Sequence, residues 1–180
     1  MRYVVLLRGI NVGGKTVKME TLKMILEEMG FSHVKTLLNS GNVILETKQT
    51  SLEHLRQSIE EKLEQTFGFT IHVIIRTMDD IQKLVKADPF KGIVVDKDTR
   101  LYVTFVSDST SSTLQIPYES DEKDVQILKM LDQVVCSVIT LSTQKNTTDL
   151  MRIIEKEFGK NVTTRNWNTV LKIEKAMLLA

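Results

Sequence analysis

The stretch HVKTLLNSGNVILET, residues 33–47, consists of two short apolar and β-branched runs separated by Asn39, Ser40 and Gly41. Asn and Gly tolerate the positive φ of a tight turn, so the stretch predicts two adjacent antiparallel strands. Before it, Tyr3–Leu7 reads as a buried strand. Leu22, Ile25, Leu26 and Met29 then recur at helical spacing from about Met19, and Gly30 stands where a left-handed C-terminal cap belongs. After it, Thr50 and Glu53 form a capping-box pattern, and Leu52, Leu55, Ile59 and Leu63 mark one buried helical face ending near Gly68. Thr70–Arg76 closes the series as a fourth strand. The order is βαββαβ, the split βαβ or ferredoxin-like arrangement, in which the third strand lies between the first and second.

The remainder repeats this pattern. LYVTFV at residues 101–106 reads as a strand, and VQILKML (125–131) and VVCSVITL (134–141) flank a turn at Asp132 and Gln133. A helix from Thr147 to Phe158 carries Leu150, Ile153, Ile154 and Phe158 on one face, and Val162–Arg165 follows as a strand. A final helix carries Trp167, Val170, Leu171 and Leu178. Between the first two of these strands the repeat calls for a helix in Ser109–Asp124, a segment that is polar, contains Pro117 and lacks helical period. The expected fold class is α+β: two ferredoxin-like (α/β-plait) subdomains packed together, plus a C-terminal helix. The expected boundaries are residues 1–77, a helix and linker over 78–99, and residues 100–180.

At 180 residues the chain is long enough for two small cores. A hydrophobic fraction of 42% and a charged fraction of 26% match an ordinary globular protein and argue against disorder. With 24 basic and 23 acidic side chains, the net charge of +1 provides no overall field toward nucleic acid or anionic lipid, so any anion site must be local. The single Cys136 lies in an apolar run and reads as a buried thiol of a reducing compartment. Near the start the longest apolar run is Val4–Leu7, too short for a signal core or a membrane span. A cytoplasmic protein without membrane partners is expected.

Residues Gly9–Thr16, GINVGGKT, match the phosphate-loop pattern GxxxxGK[ST] and lie between a strand and a helix. On that reading Lys15 would reach the outer phosphates and Thr16 would hold Mg²⁺, making the protein a nucleotide-hydrolysing or phosphoryl-transfer enzyme. Val17 and Lys18 separate Thr16 from the first convincing helical residue, however, which displaces both hydroxyl and helix dipole. A plainer reading makes the glycines turn residues in a structural or interaction protein with no small-molecule ligand. The third reading follows from topology. In a split βαβ unit the loop after the first strand and the hairpin between the second and third emerge at the same end of the sheet. Arg8, Asn11 and Lys15 are then expected beside Asn39, Ser40 and Asn42, and with Gly9, Gly13 and Gly14 they make a candidate binding edge for an anionic small molecule or nucleotide.

RGINVGGK (8–15), NSGNVI (39–44) and TTRNWNTVLK (163–172) together resemble the bacterial domain-of-unknown-function family numbered 1697. The resemblance implies two α/β-plait subdomains, a cytoplasmic location and no established activity. It also implies that a Ser or Thr after the basic residue is not a family feature, so the phosphate-loop match is incidental. Its motif positions here are Arg8, Gly9, Asn11, Gly13, Gly14, Ser40, Gly41 and Asn42, then Arg165, Asn166, Trp167 and Asn168. Read on its own, TTRNWNT is a helix start with Asn166 or Thr164 as cap and Trp167 packing inward. On the functional reading Arg165 and Asn168 fold back against the glycine loop to complete a cleft between the halves, and Arg165 and Asn166 join the ligand-binding set.

His33, His54 and His72 lie on different elements and Cys136 is alone, so no metal site is expected. No nucleophile stands beside an obvious base, so no catalytic residues are assigned, no cofactor is expected, and binding is favoured over catalysis. Strand three, NVILET, lacks the aromatics of an RNA-binding sheet, which argues against nucleic acid as partner. Nothing in the sequence bears on oligomeric state.

Overall fold

Tyr3 to Leu7 form the middle of the first sheet and are each no more than 1% exposed, which is why this strand reads as an unbroken apolar run rather than an alternating one. The structure, a computed structural model, describes residues 1–107, 114–141 and 148–179. The chain divides into two compact units, Met1–Gln82 with Lys172–Ala180, and Lys83–Leu171.

In the first unit β1 (Arg2–Leu7) is followed by α1 (Met19–Glu28), β2 (Ser32–Leu37), β3 (Asn42–Glu46), α2 (Leu52–Phe67), β4 (Val73–Thr77) and the start of α3 (Met78–Lys86). The sheet has the order β2-β3-β1-β4 and its pairings are antiparallel. Since β1 and β2 both oppose β3, they run in the same direction. One face of the sheet packs on Leu22, Ile25 and Leu26 of α1 and on Leu55, Ile59 and Leu63 of α2. Truncating one such side chain to Ala costs about 2–5 kcal/mol, so these two helices are held by burial rather than by propensity. The other face buries Val4, Leu6 and Ile44, all 0% exposed.

Local stop signals act as the sequence suggests. Gly30 at φ +87° donates its N–H to the Glu27 carbonyl (2.9 Å) and Phe31 donates to Leu26 (3.3 Å), the paired closure of a Schellman end. Gly68, at φ +75°, closes α2 onto Glu64. The cap of α2 is Ser51 rather than Thr50: Ser51 Oγ accepts the His54 N–H at 3.3 Å. Gln49 Oε1 takes the N–H groups of both Thr50 and Ser51, at 3.0 and 3.1 Å, which moves the helix start one residue on. On the edge strand β2, His33 at φ +52° produces a bulge that shifts the register between Ser32 and Lys35.

The second unit holds the end of α3, β5 (Thr99–Val106), β6 (Tyr118–Glu119), β7 (Val125–Leu131), β8 (Val134–Thr140), α4 (Thr148–Phe158), β9 (Val162–Asn166) and the first turns of α5 (Trp167–Leu179). Its sheet runs β6-β7-β8-β5-β9, also antiparallel. Leu150, Ile154 and Phe158 of α4 pack on Val106, Ile127 and Val135. Among described residues 114–124 the chain forms β6 and turns rather than the helix expected between the first two strands of this half. Ser120 explains the local path: its Oγ meets Asp124 Oδ1 at 2.7 Å and accepts the Val125 N–H at 3.1 Å. The first part of that segment, at residues 109–113, and the expected helix start at Thr147 lie outside the described residues. The whole is thus a mixed α+β protein with two antiparallel sheets and a C-terminal helix. Within the first unit, Arg2 Nη2 pairs with Glu46 at 2.6 Å while its Nη1 donates to the Met177 carbonyl, tying β1 to the end of α5.

Apart from β6, strands β7-β8-β5-β9 repeat the order β2-β3-β1-β4. The repeat extends to single hydrogen bonds. Leu7 N–H donates to the Gly41 carbonyl (2.8 Å) and Arg8 N–H to His72 (2.9 Å), while Val106 N–H donates to Gln133 (2.9 Å) and Ser107 N–H to Asn161 (3.2 Å). In each unit the first strand is pinned on one side by the hairpin and on the other by the residue before the last strand.

Candidate functional site

The loop leaving β1 is a small hairpin of its own. Asn11 N–H donates to the Lys15 carbonyl (2.7 Å) and Lys15 N–H to Val12 (3.2 Å), with Gly13 at φ +57° and Gly14 at φ +84° as the two turn residues. Two successive positive φ values are what the type I′ form of a two-residue hairpin turn requires, and glycine adopts them without steric cost. A Cβ built on Gly9, Gly13 or Gly14 would meet no heavy atom within 4 Å, so the tip stands in open space.

This geometry differs from that of a phosphate loop. The amides of Asn11 and Lys15 are spent inside the turn, and α1 starts only at Met19, where Lys18 provides no side-chain cap. Thr16 is exposed and three residues short of the helix.

The loop and the NSGN hairpin interlock. Asn11, at φ +57°, donates from Nδ2 to the Asn39 carbonyl (2.8 Å) and accepts the Val17 N–H at Oδ1 (2.9 Å), so one exposed amide bridges both loops. Asn42 is 0% exposed, and its Nδ2 donates to the Leu37 carbonyl and to Ser40 Oγ, both at 2.9 Å. Gly41, at φ +72°, lies against Ile10: an added Cβ would stand 2.7 Å from Ile10 Cδ1. Arg8, Gly9, Asn11, Gly13, Gly14, Lys15, Ser40 and Asn42 therefore belong to one edge of the first unit. Arg8 is half-buried, and Lys15 is exposed.

One neighbour escaped the sequence reading. The Lys15 ammonium lies 5.5 Å from the centroid of the half-exposed Phe69 ring, within cation–π range. Phe69 follows the α2 cap Gly68, and only the return of the chain toward β4 brings it to the glycine loop. Two apolar side chains flank the interlock, Val12 at 62% and Leu38 at 48% exposure.

Arg165 and Asn166 lie in the second unit at the β9–α5 junction. Arg165 Nη1 donates to Thr163 Oγ1 (2.8 Å) and to the Thr164 carbonyl (2.9 Å), and burial pushes its guanidinium down to about 10. Asn166 Oδ1 accepts the Asn168 N–H at 3.0 Å, so Asn166 caps α5, and the Trp167 ring meets Phe90 edge-on at 5.2 Å. The first unit holds a counterpart that sequence reading also missed. Arg76, fourth in β4 as Arg165 is fourth in β9, is likewise 8% exposed and donates from Nη1 to the carbonyl just before it (2.8 Å). Among the described residues no group of three or more His, Cys, Asp or Glu side chains could hold a metal ion, and no helix is long and apolar enough to cross a membrane.

A family described as "Protein of unknown function (DUF1697)" matches residues 1–135. No curated protein matches the chain. Among solved structures, that of the conserved bacterial protein SP0830 from Streptococcus pneumoniae is 22% identical, with a TM-score of 0.68 and 98% of each chain covered. At that identity the likeness establishes a shared fold.

Proposed function

The chain belongs to the DUF1697 family of proteins of unknown function, and from that premise we propose that it is a cytoplasmic binding module whose glycine-loop edge takes an anionic or nucleotide-like ligand. The observation that carries this reading is a comparison inside the chain. The second unit joins its first strand to its hairpin through Val106 and Gln133, with the same hydrogen bond that Leu7 and Gly41 make. Joining a strand end to its hairpin in this way therefore needs no glycine pair after the first strand, since residues 107–113 of the second half carry none. The first unit adds an exposed Gly13–Gly14 tip, an amide bridge from Asn11, and the cations Arg8 and Lys15.

On this reading Arg8 and Lys15 supply charge, and the glycine tip lets a ligand approach the backbone. Asn11, Ser40 and Asn42 hold the two loops in register. Arg165 and Asn166 act at the β9–α5 junction, with a structural part in the fold. The hairpin closure of Asn11 to Lys15 favours binding over phosphoryl transfer, because two of the loop amides that would curl round a phosphate chain are used inside the turn. We further read the first unit as ferredoxin-like, supported by its strand order, and the second as a plait-like variant of it.

The test is a thermal-shift screen of nucleotides, phosphosugars and inorganic polyphosphates, since a ligand that binds only the native state raises its melting temperature. A shift lost in the Arg8→Ala, Lys15→Ala double variant is expected. No shift, or one that survives the double variant, removes the anion edge. A shift by ATP that requires Mg²⁺ would favour the enzyme reading instead.

A further inference from the structure

We propose that Phe69 is the stacking platform of the glycine-loop edge, so that its ligand is a nucleoside phosphate rather than a bare phosphate or carboxylate. The inference rests on the binding edge proposed above and deepens it. Lys15 Nζ lies 5.5 Å from the centre of the Phe69 ring. An ammonium over an aromatic face is a weak, exchangeable partner, and a phosphate oxygen offers it a stronger, charge-assisted hydrogen bond. An arriving phosphate draws the ammonium off the ring and leaves a flat, half-exposed apolar face beside the new ion pair.

Two further observations point to a ring-bearing anion. A phosphate held by an ammonium that rests 5.5 Å from the centroid before the ligand arrives lies on the same edge as the ring, at a separation the flexible Lys15 side chain adjusts. That arrangement suits a nucleotide, whose base and phosphate are joined by one sugar. The edge is also apolar in part: Val12 is 62% and Leu38 48% exposed on either side of the Asn11–Asn39 bridge. A purely ionic ligand would gain nothing from these side chains, whereas a base and sugar have apolar surface to cover them. Phe69 is itself paired with Phe67, their ring centroids 6.4 Å apart and tilted by 42°. Every base has a π-face, so stacking on a phenylalanine implies tolerance among bases.

Calorimetric titration of the full chain with ATP and, separately, with inorganic tripolyphosphate tests the proposal. ATP is expected to bind more tightly, and Phe69→Leu to weaken ATP roughly tenfold to a hundredfold, as loss of one stacked base does elsewhere, while leaving tripolyphosphate unchanged. Phe69→Trp is expected to retain the ATP advantage. Phe69 also packs against the core, so each variant's melting temperature without ligand is measured first. Equal binding of the two ligands, or equal weakening of both by Phe69→Leu, overturns the platform but leaves the anion edge standing. Binding of neither, or binding of both that survives Lys15→Ala, overturns the edge and the platform together.

Discussion

The Gly41 carbonyl accepts a 2.8 Å hydrogen bond from the Leu7 N–H, and a Cβ placed on Gly41 would stand 2.8 Å from the Leu7 Cβ. Strand end and hairpin therefore touch through backbone alone. Gly41→Ala is expected to lower stability by about 2–5 kcal/mol, combining about 1–2 kcal/mol of left-handed strain with about 1–3 kcal/mol of overpacking. Gly13→Ala, at φ +57° in open space, should lose only about 1–2 kcal/mol of conformational strain. Denaturant midpoints of the two variants decide this; equal losses would mean that the close approach at Gly41 does not govern its identity.

Asn42 is fully buried, with its amide committed to Leu37 and Ser40. Asn42→Ala leaves the Leu37 carbonyl short of its donor and is expected to cost about 1–3 kcal/mol. Ser40→Ala removes only the more exposed of the two partners and should cost less. Urea unfolding of both variants checks the order, and a reversed order would contradict the role given to Asn42.

Hydrogen bonding from Arg2 holds the Glu46 carboxyl below its ordinary value of 4.5, helped by the charges of Arg2, His33 and the chain start. A carboxyl depressed on folding favours the native state above its unfolded value and loses that contribution as pH falls through the folded one. Wild-type protein should therefore lose more stability than Glu46→Gln when the pH is lowered from 7 to well below 4.5. Parallel acid-side melting curves for the two proteins would contradict the pairing.

Cys136 lies wholly inside the second unit, and burial pushes its thiol up to about 12. The thiolate is the reactive form, so a disulfide-exchange reagent at pH 8 should label native protein only at the rate at which it opens. Labelling should become rapid and stoichiometric in denaturant. Fast labelling of the native chain would mean that β8 is not sealed.

Much of the fold is legible because its signals are local. Tyr3–Leu7, the NSGN turn, the Leu55–Leu63 face and Gly30 each declare themselves within a few residues. Where two neighbours offer the same chemistry, as Thr50 and Ser51 do, sequence cannot choose, because the deciding contact comes from Gln49. Residues 114–124 defeat periodicity because Ser120 and Asp124 organise them through side chains. The meeting of the glycine loop with the hairpin follows from topology alone, and the Asn11–Asn39 bond is its physical form. Phe69 was illegible for the opposite reason. It is 54 positions from Lys15, and an aromatic after a helix cap carries no sign of what will rest on it. Arg76 and Arg165 emerge as counterparts only when the two sheets are aligned strand by strand.

The most direct measurement is a nitrogen–proton NMR titration of the full chain with ATP, following each backbone amide. A binding edge at the glycine loop requires shifts concentrated at Gly9, Gly13, Gly14 and Lys15 and at residues 39–42, abolished in the Arg8→Ala, Lys15→Ala double variant. Shifts scattered over the surface, or none at saturating ligand, would contradict it.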